Sequence, residues 1–204
     1  RTVPGAERRL DLSGISTAVL EAGDGPPVIV LHGPAANATH WMRVIPELSR
    51  NHRVIAPDLP GHGASRVPDA PLDDERVLDW LACLIDQTCA TPPALVGQLL
   101  GGAIAMRAAI AESGAFRRLV LIDTFGLCDF APAPEFGAAL QRFGMAPEVD
   151  SHRALWAQGA RDFDALRRNM GVLWEPFETY NIERARSPEQ QAALQQLMGA
   201  FGVS

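Results

Sequence analysis

The sequence carries no basic run or stripe. Its 18 lysines and arginines are outnumbered by 24 aspartates and glutamates, leaving a formal charge of −6 over 204 residues. Such a balance cannot neutralise a phosphate backbone, which speaks against nucleic acid as a partner. No apolar stretch reaches the roughly 18 residues needed to cross a bilayer, so no membrane partner is expected either. The N-terminal stretch, rich in Glu, Arg, Asp and Gly, lacks the apolar centre of a signal peptide, and a cytoplasmic setting is expected. Cysteine is scarce and odd in number, with Cys83 and Cys89 in one predicted helix and Cys128 apart. That arrangement suits neither a disulfide framework nor a zinc site; all three read as buried thiols, and no metal is expected. There is no internal repeat and no low-complexity tract. The chain opens on Arg1 rather than methionine, as a processed or trimmed sequence would.

Hydrophobic residues make up 47% of the chain, enough for a well-buried interior in one large domain or a core with a small insertion. Leu10 and Leu12 alternate with polar neighbours, Ser13-Gly14 suits a tight turn, and Ile15 to Glu21 is β-branched and apolar. This predicts an edge hairpin. Val28-Ile29-Val30-Leu31 has no polar alternation, as expected for a strand covered on both faces. A helix around Trp41 to Ser49 leads to a second such strand, Val54-Ile55-Ala56, stopped by Pro57. From Asp73 to Thr88 the residues Val77, Leu78, Leu81, Leu84 and Ile85 fall at helical spacing, with Asp73, Asp74 and Glu75 at the positive end of the helix dipole. A strand at Ala94-Leu95-Val96, a small-residue helix from Gly102 to Ala111 and a strand from Leu119 to Ile122 continue the rhythm. Strands alternating with helices predict a doubly wound, mostly parallel α/β sheet with right-handed crossovers.

After Asp123 the pattern changes. Pro132 and Pro134 interrupt the chain, and from about Glu135 only helical segments follow, with Trp156 and Trp174 among them. Two regions are therefore expected, an α/β core over 1–130 and a helical lid over 131–204. The last helix has Ser187 as N-cap, Pro188 in the first turn and Gln190 placed to close a capping box.

Three motifs now stand in order. His32-Gly33 follows the third strand, Pro57-Asp58-Leu59-Pro60-Gly61-His62-Gly63-Ala64-Ser65 the fourth, and Leu95-Val96-Gly97-Gln98-Leu99-Leu100-Gly101-Gly102 links the fifth to its helix. Together they resemble the α/β-hydrolase superfamily, and within it the lidded bacterial esterases, C–C bond hydrolases and cofactor-free haloperoxidases. The resemblance implies a hydrolase of small, fairly apolar ester-like substrates that needs no cofactor. In that family the third motif is the nucleophile elbow, Gly-X-Ser-X-Gly, in which serine sits on a strained strand-to-helix turn. Gly97 and Gly101 keep the spacing, but the residue between them is Leu99. Its isobutyl group cannot attack a carbonyl, and the amide of Gln98 is scarcely nucleophilic.

The resemblance also implies an oxyanion hole, with one backbone N–H from Leu100 and the other from the loop after His32-Gly33. There Pro34 has no N–H, so Ala35 is the candidate donor. The family's triad acid and histidine mostly follow later strands than this chain contains; Asp123, ending the sixth strand, is the candidate acid for the minority arrangement. His32, His40, His52, His62 and His152 read as structural or solvent-exposed, and Asp58 as fixing its own turn. Gly33, Gly61, Gly63 and Gly102 complete the structural motif. Ending the sheet at Leu119 to Ile122 leaves an apolar edge, so a further segment or a partner is expected to complete it. Two functional readings stand side by side: a hydrolase of the lidded group, and a catalytically silent relative that binds a small molecule or a protein.

Overall fold

A computed structural model describes residues 5–68, 71–128 and 131–201. Arg1, residue 130 and Ser204, at which the expected regions begin or end, lie outside the described residues. The chain divides into two compact units, Arg1–Asp129 with Ala192–Ser204, and Phe130–Gln191.

The first unit opens with a hairpin of β1 (Ala6–Leu12) and β2 (Ile15–Ala22). Ser13 and Gly14 turn it at φ 52° and 78°, the two left-handed residues of a type I′ turn. There follow β3 (Pro27–Leu31), a 3-10 turn (Ala38–Trp41), α1 (Ile45–Leu48), β4 (Arg53–Pro57), α2 (Asp74–Thr88), β5 (Ala94–Gln98), α3 (Leu100–Ala111) and β6 (Arg118–Ile122). The strands form one mixed sheet in the order β1-β2-β4-β3-β5-β6. Pairing is antiparallel from β1 to β4 and parallel from β4 through β3 and β5 to β6.

Alternation along the central strands serves two cores. Ile29, Leu31, Ile55 and Leu95 pack with residues of α2 and α3, whereas Val28, Val30, Val54 and Ala56 pack with Trp41 and Ile45. Both sets are apolar, which is why these strands read as unbroken hydrophobic runs. Helix α2 starts where Asp73 accepts from the Arg76 N–H at 2.9 Å. It buries Trp80, absent from the expected apolar stripe, whose Nε1–H donates to the buried Thr17 hydroxyl at 2.9 Å. Losing that side chain and its bond costs about 3–5 kcal/mol.

Two local expectations are corrected. The helix expected from Trp41 to Ser49 is a 3-10 turn and a separate four-residue helix, with Pro46 in the first turn of the latter. In a continuous helix the Pro46 ring would clash with the carbonyl four residues back. Nor are the cysteines all buried: Cys128 is exposed, Cys83 and Cys89 are half-buried, and Cys89 caps α2 rather than lying within it. On the outermost strand of the sheet, β6, Leu119 and Val120 are 38% and 45% exposed.

The second unit is helical, with α4 (Pro134–Met145), α5 (Val149–Gly159), α6 (Phe163–Met170), a 3-10 turn (Gly171–Leu173), α7 (Trp174–Arg186) and the start of α8 (Pro188–Ala200). Phe143, Ile182 and Ala185 are buried together, with Leu155 against them. The remainder of α8 belongs to the first unit, where Ala193, Leu197 and Phe201 join the larger core, so 131–204 is not a single unit. Its capping box is half made: Ser187 Oγ accepts from the Gln190 N–H at 3.4 Å, but Gln190 Oε1 is buried without a partner among the described residues. Among the described residues no helix is long and apolar enough to cross a membrane.

Candidate functional site

The turn from β5 to α3 is a tightly constrained piece of backbone. Its apex is Leu99, at φ 49° and ψ −111°, a conformation that costs a non-glycine residue about 1–3 kcal/mol. Neighbours hold it there. The Leu99 N–H donates to the Ile122 carbonyl at 3.0 Å, and the Leu99 carbonyl accepts from Ala103 at 3.0 Å and Phe125 at 3.3 Å. The flanking glycines permit the crossing: a Cβ on Gly97 would lie 2.3 Å from the Gly101 carbonyl oxygen, and one on Gly101 would lie 2.4 Å from that of Leu31. Gly102 faces Thr124 in the same way, 2.3 Å from its hydroxyl. The Leu99 side chain packs on the main core and reaches Gly33, 3.3 Å from where a Cβ would stand.

The loops after β3 and β4 are tied to each other by two buried side chains. Asp58 accepts from the Ala38 N–H through Oδ1 and from the Ala64 N–H through Oδ2, each at 2.7 Å. Burial pushes its carboxyl above the usual range, against those two N–H bonds. Gly63 sits at φ 53°, and any Cβ there would come within 2.1 Å of Asp58 Oδ2. Gly61 is pressed from elsewhere, 2.2 Å from the Ala193 methyl by the same measure. His32 Nδ1–H donates to the Gly33 carbonyl at 2.8 Å, and its Nε2 accepts from the Leu59 N–H at 2.9 Å. This leaves the imidazole neutral, in keeping with a pKa held well below the ordinary value by burial and then by His62, whose ring is 5.5 Å away. His62 in turn contacts the Pro60 carbonyl through Nδ1 at 3.1 Å.

The structure thus brings Gly33, Gly97, Leu99, Gly101 and Gly102 together, and links His32, Asp58 and the 61–65 turn in a neighbouring frame. The N–H groups of Leu100, Gly101 and Gly102 open α3, where first-turn donors lack helical acceptors. Pro34 offers none, and Ala35 follows it at φ 63°. Gln98 ends β5 with its side chain facing His40, whose pKa burial lowers against a hydrogen bond from that side chain. Asp123 ends β6 on a left-handed turn at φ 47°, exposed, with no hydrogen bond or ion pair to its carboxylate among the described residues. Thr124, just after it, escaped the sequence reading; its hydroxyl is buried against Gly102 and has no partner among the described residues. A cleft of about 740 Å³ opens at the other end of the sheet, among Pro26, Arg53, Pro92, Phe116 and Arg117. Among the described residues no three His, Cys, Asp or Glu side chains gather as a metal-binding group.

This strand–turn–helix geometry has a counterpart in known proteins. The model of the alpha/beta hydrolase family matches residues 28–202. The chain belongs to the alpha/beta hydrolase family. Among curated relatives it is 36% identical over 125 residues to the 2-hydroxy-6-oxo-6-(2'-aminophenyl)hexa-2,4-dienoic acid hydrolase of Metapseudomonas resinovorans, a match covering 59% of this chain and 43% of the relative. It is 35% identical over 128 residues to the 2-hydroxymuconate semialdehyde hydrolase of Pseudomonas sp. strain CF600, covering 61% and 45%. The solved 2-hydroxy-6-oxo-6-phenylhexa-2,4-dienoate hydrolase of Rhodococcus sp. strain RHA1 superposes with a TM-score of 0.81 at 26% identity, over 98% of this chain and 72% of that one. This member of the family is thus homologous to C–C bond hydrolases, while the matches span less than half the length of the curated relatives.

Proposed function

We propose that this chain binds a small, largely apolar, ester-like carbonyl compound at the β5–α3 turn and forms no covalent acyl intermediate there. The observation that carries the reading is Leu99 at the apex of the turn, at φ 49° and ψ −111°. A hydrocarbon side chain has neither a lone pair nor an exchangeable proton, so the serine mechanism has no starting atom at this position. The backbone around it still supports binding, because the first-turn N–H groups of α3 and the crossing of Gly97, Gly101 and Gly33 do not depend on the apex side chain. The names of the homologues, hydrolases of dienoic acids and of a semialdehyde, support an unsaturated carbonyl compound as the ligand class.

Incubation of the full chain with short-chain chromogenic esters, beside titration with a non-hydrolysable ketone analogue, tests this reading. Saturable binding of the analogue without ester turnover is the expected result, and Leu99→Trp should weaken that binding by filling the space at the turn. Ester turnover above background that disappears when Asp123 or His40 is changed would overturn it and restore a hydrolase.

A further inference from the structure

The helical unit contains a buried titratable group that the elbow does not use. His152, on α5, is 0% exposed and lies among four aromatic rings, with centroids 5.5 Å from Phe143, 6.2 Å from Trp156, 5.9 Å from Trp174 and 5.8 Å from Phe177. Its Nδ1 is 3.4 Å from Glu178 Oε1, beyond the usual range for such a bond, and its Nε2 is buried without a partner among the described residues. Glu178, on α7, is occupied elsewhere. Arg153 grips it with two bonds, Nε to Oε1 at 2.8 Å and Nη2 to Oε2 at 2.9 Å.

We propose that His152 is an acid-sensitive latch of the helical unit, packing α4, α5 and α7 together while neutral and loosening them when it takes up a proton. A second N–H on the ring would place a donor on the unpartnered Nε2 and a positive charge among hydrocarbon rings, which is costly without a counter-ion. The charged groups around it do not supply a free one. From α7 comes Glu178, already paired; from α5 come Arg153, which repels the imidazolium, and Asp150 beside Arg153. From α4 the contact is Phe143, without charge, and from α6 Arg167 lies over the rings of Phe163 and Trp174. The faces of the four rings offer the imidazolium some cation–π attraction, which limits the penalty without removing it.

Burial holds the His152 pKa below the ordinary 6.5, against the opposing pull of Glu178. For Glu178, burial pushes the carboxyl up, but the bonds and charge of Arg153, with help from His152, outweigh it and hold it below the usual range. Glu178 therefore stays ionised while His152 titrates. Since the folded unit binds fewer protons than the unfolded chain in this window, its stability is whole above pH 6.5 and is lost as the pH falls toward the folded value.

Hydrogen–deuterium exchange of the full chain at pH 7.5 and pH 5.5, corrected for intrinsic rates, tests the proposal. Exchange in α5 and α7 is expected to rise severalfold at the lower pH, with about tenfold as the ceiling for a single histidine, and His152→Phe, which keeps a ring in place, should abolish the rise. An unchanged exchange rate in the natural chain, or an equal rise in the variant, overturns the proposal. Should the variant fail to fold, the His152 Cε1–H resonance of the natural chain decides: a midpoint below 6.5 supports the latch, and a midpoint at or above 6.5 refutes it.

Discussion

His32 and His152 are both fully buried, one in each unit, yet their surroundings differ in kind. Both ring nitrogens of His32 are engaged by backbone groups of the β3 and β4 loops, at 2.8 and 2.9 Å. His152 has one long contact to a carboxylate that is already paired and one nitrogen without a hydrogen-bond partner among the described residues. A buried polar group with every bond made rigidifies its surroundings, whereas a partly satisfied one is where a structure yields first. The first unit thus uses histidine to fix the frame around the β5 turn, and the second holds one in reserve.

The contrast is broken most severely at Asp58, because both of its oxygens receive main-chain donors from loops that must stay in place for His32 to keep its bonds. Asp58→Ala should cost about 3–5 kcal/mol in urea unfolding, since it leaves one buried and one half-buried N–H group unpaired. His32→Phe retains a ring but orphans the Leu59 N–H and the Gly33 carbonyl, and should cost about 2–4 kcal/mol. That loss should be smaller at pH 5.5 than at pH 7.5, because burial holds the His32 pKa well below 6.5 and the unfolded chain takes up a proton that the folded one refuses. His152→Phe breaks only one long contact, so its melting temperature should be close to that of the natural chain at pH 7.5 and higher than it at pH 5.5. The smallest effect belongs to Leu99→Gly, where relief of the strained φ offsets lost packing and the net change should fall within about 1 kcal/mol.

Much of the fold was legible because burial on both faces of a sheet leaves an unbroken apolar run, as at Val28 to Leu31 and Val54 to Ala56. The turn at Leu99 was legible for a related reason, since glycines at 97, 101 and 102 mark the crossing even without the apex side chain. Features set by distant neighbours were not. Trp80 finds Thr17 across 63 positions, and Ala193, Leu197 and Phe201 return α8 to a core whose strands lie far back in the chain. His152 stood in the sequence as one more lid histidine, because Glu178, Phe143, Trp174 and Phe177 come from two other helices. The break at Pro46 was present in the sequence but outweighed by the apolar residues on either side of it.

The central claim is that the turn presents a ligand-binding backbone with no nucleophile at its apex. Its most direct test is the intact mass of the full chain after prolonged exposure to a fluorophosphonate probe. An unchanged mass, with saturable binding of a ketone analogue to the same sample, is the predicted result. A single covalent adduct, mapped to any residue near the β5–α3 turn, would contradict it.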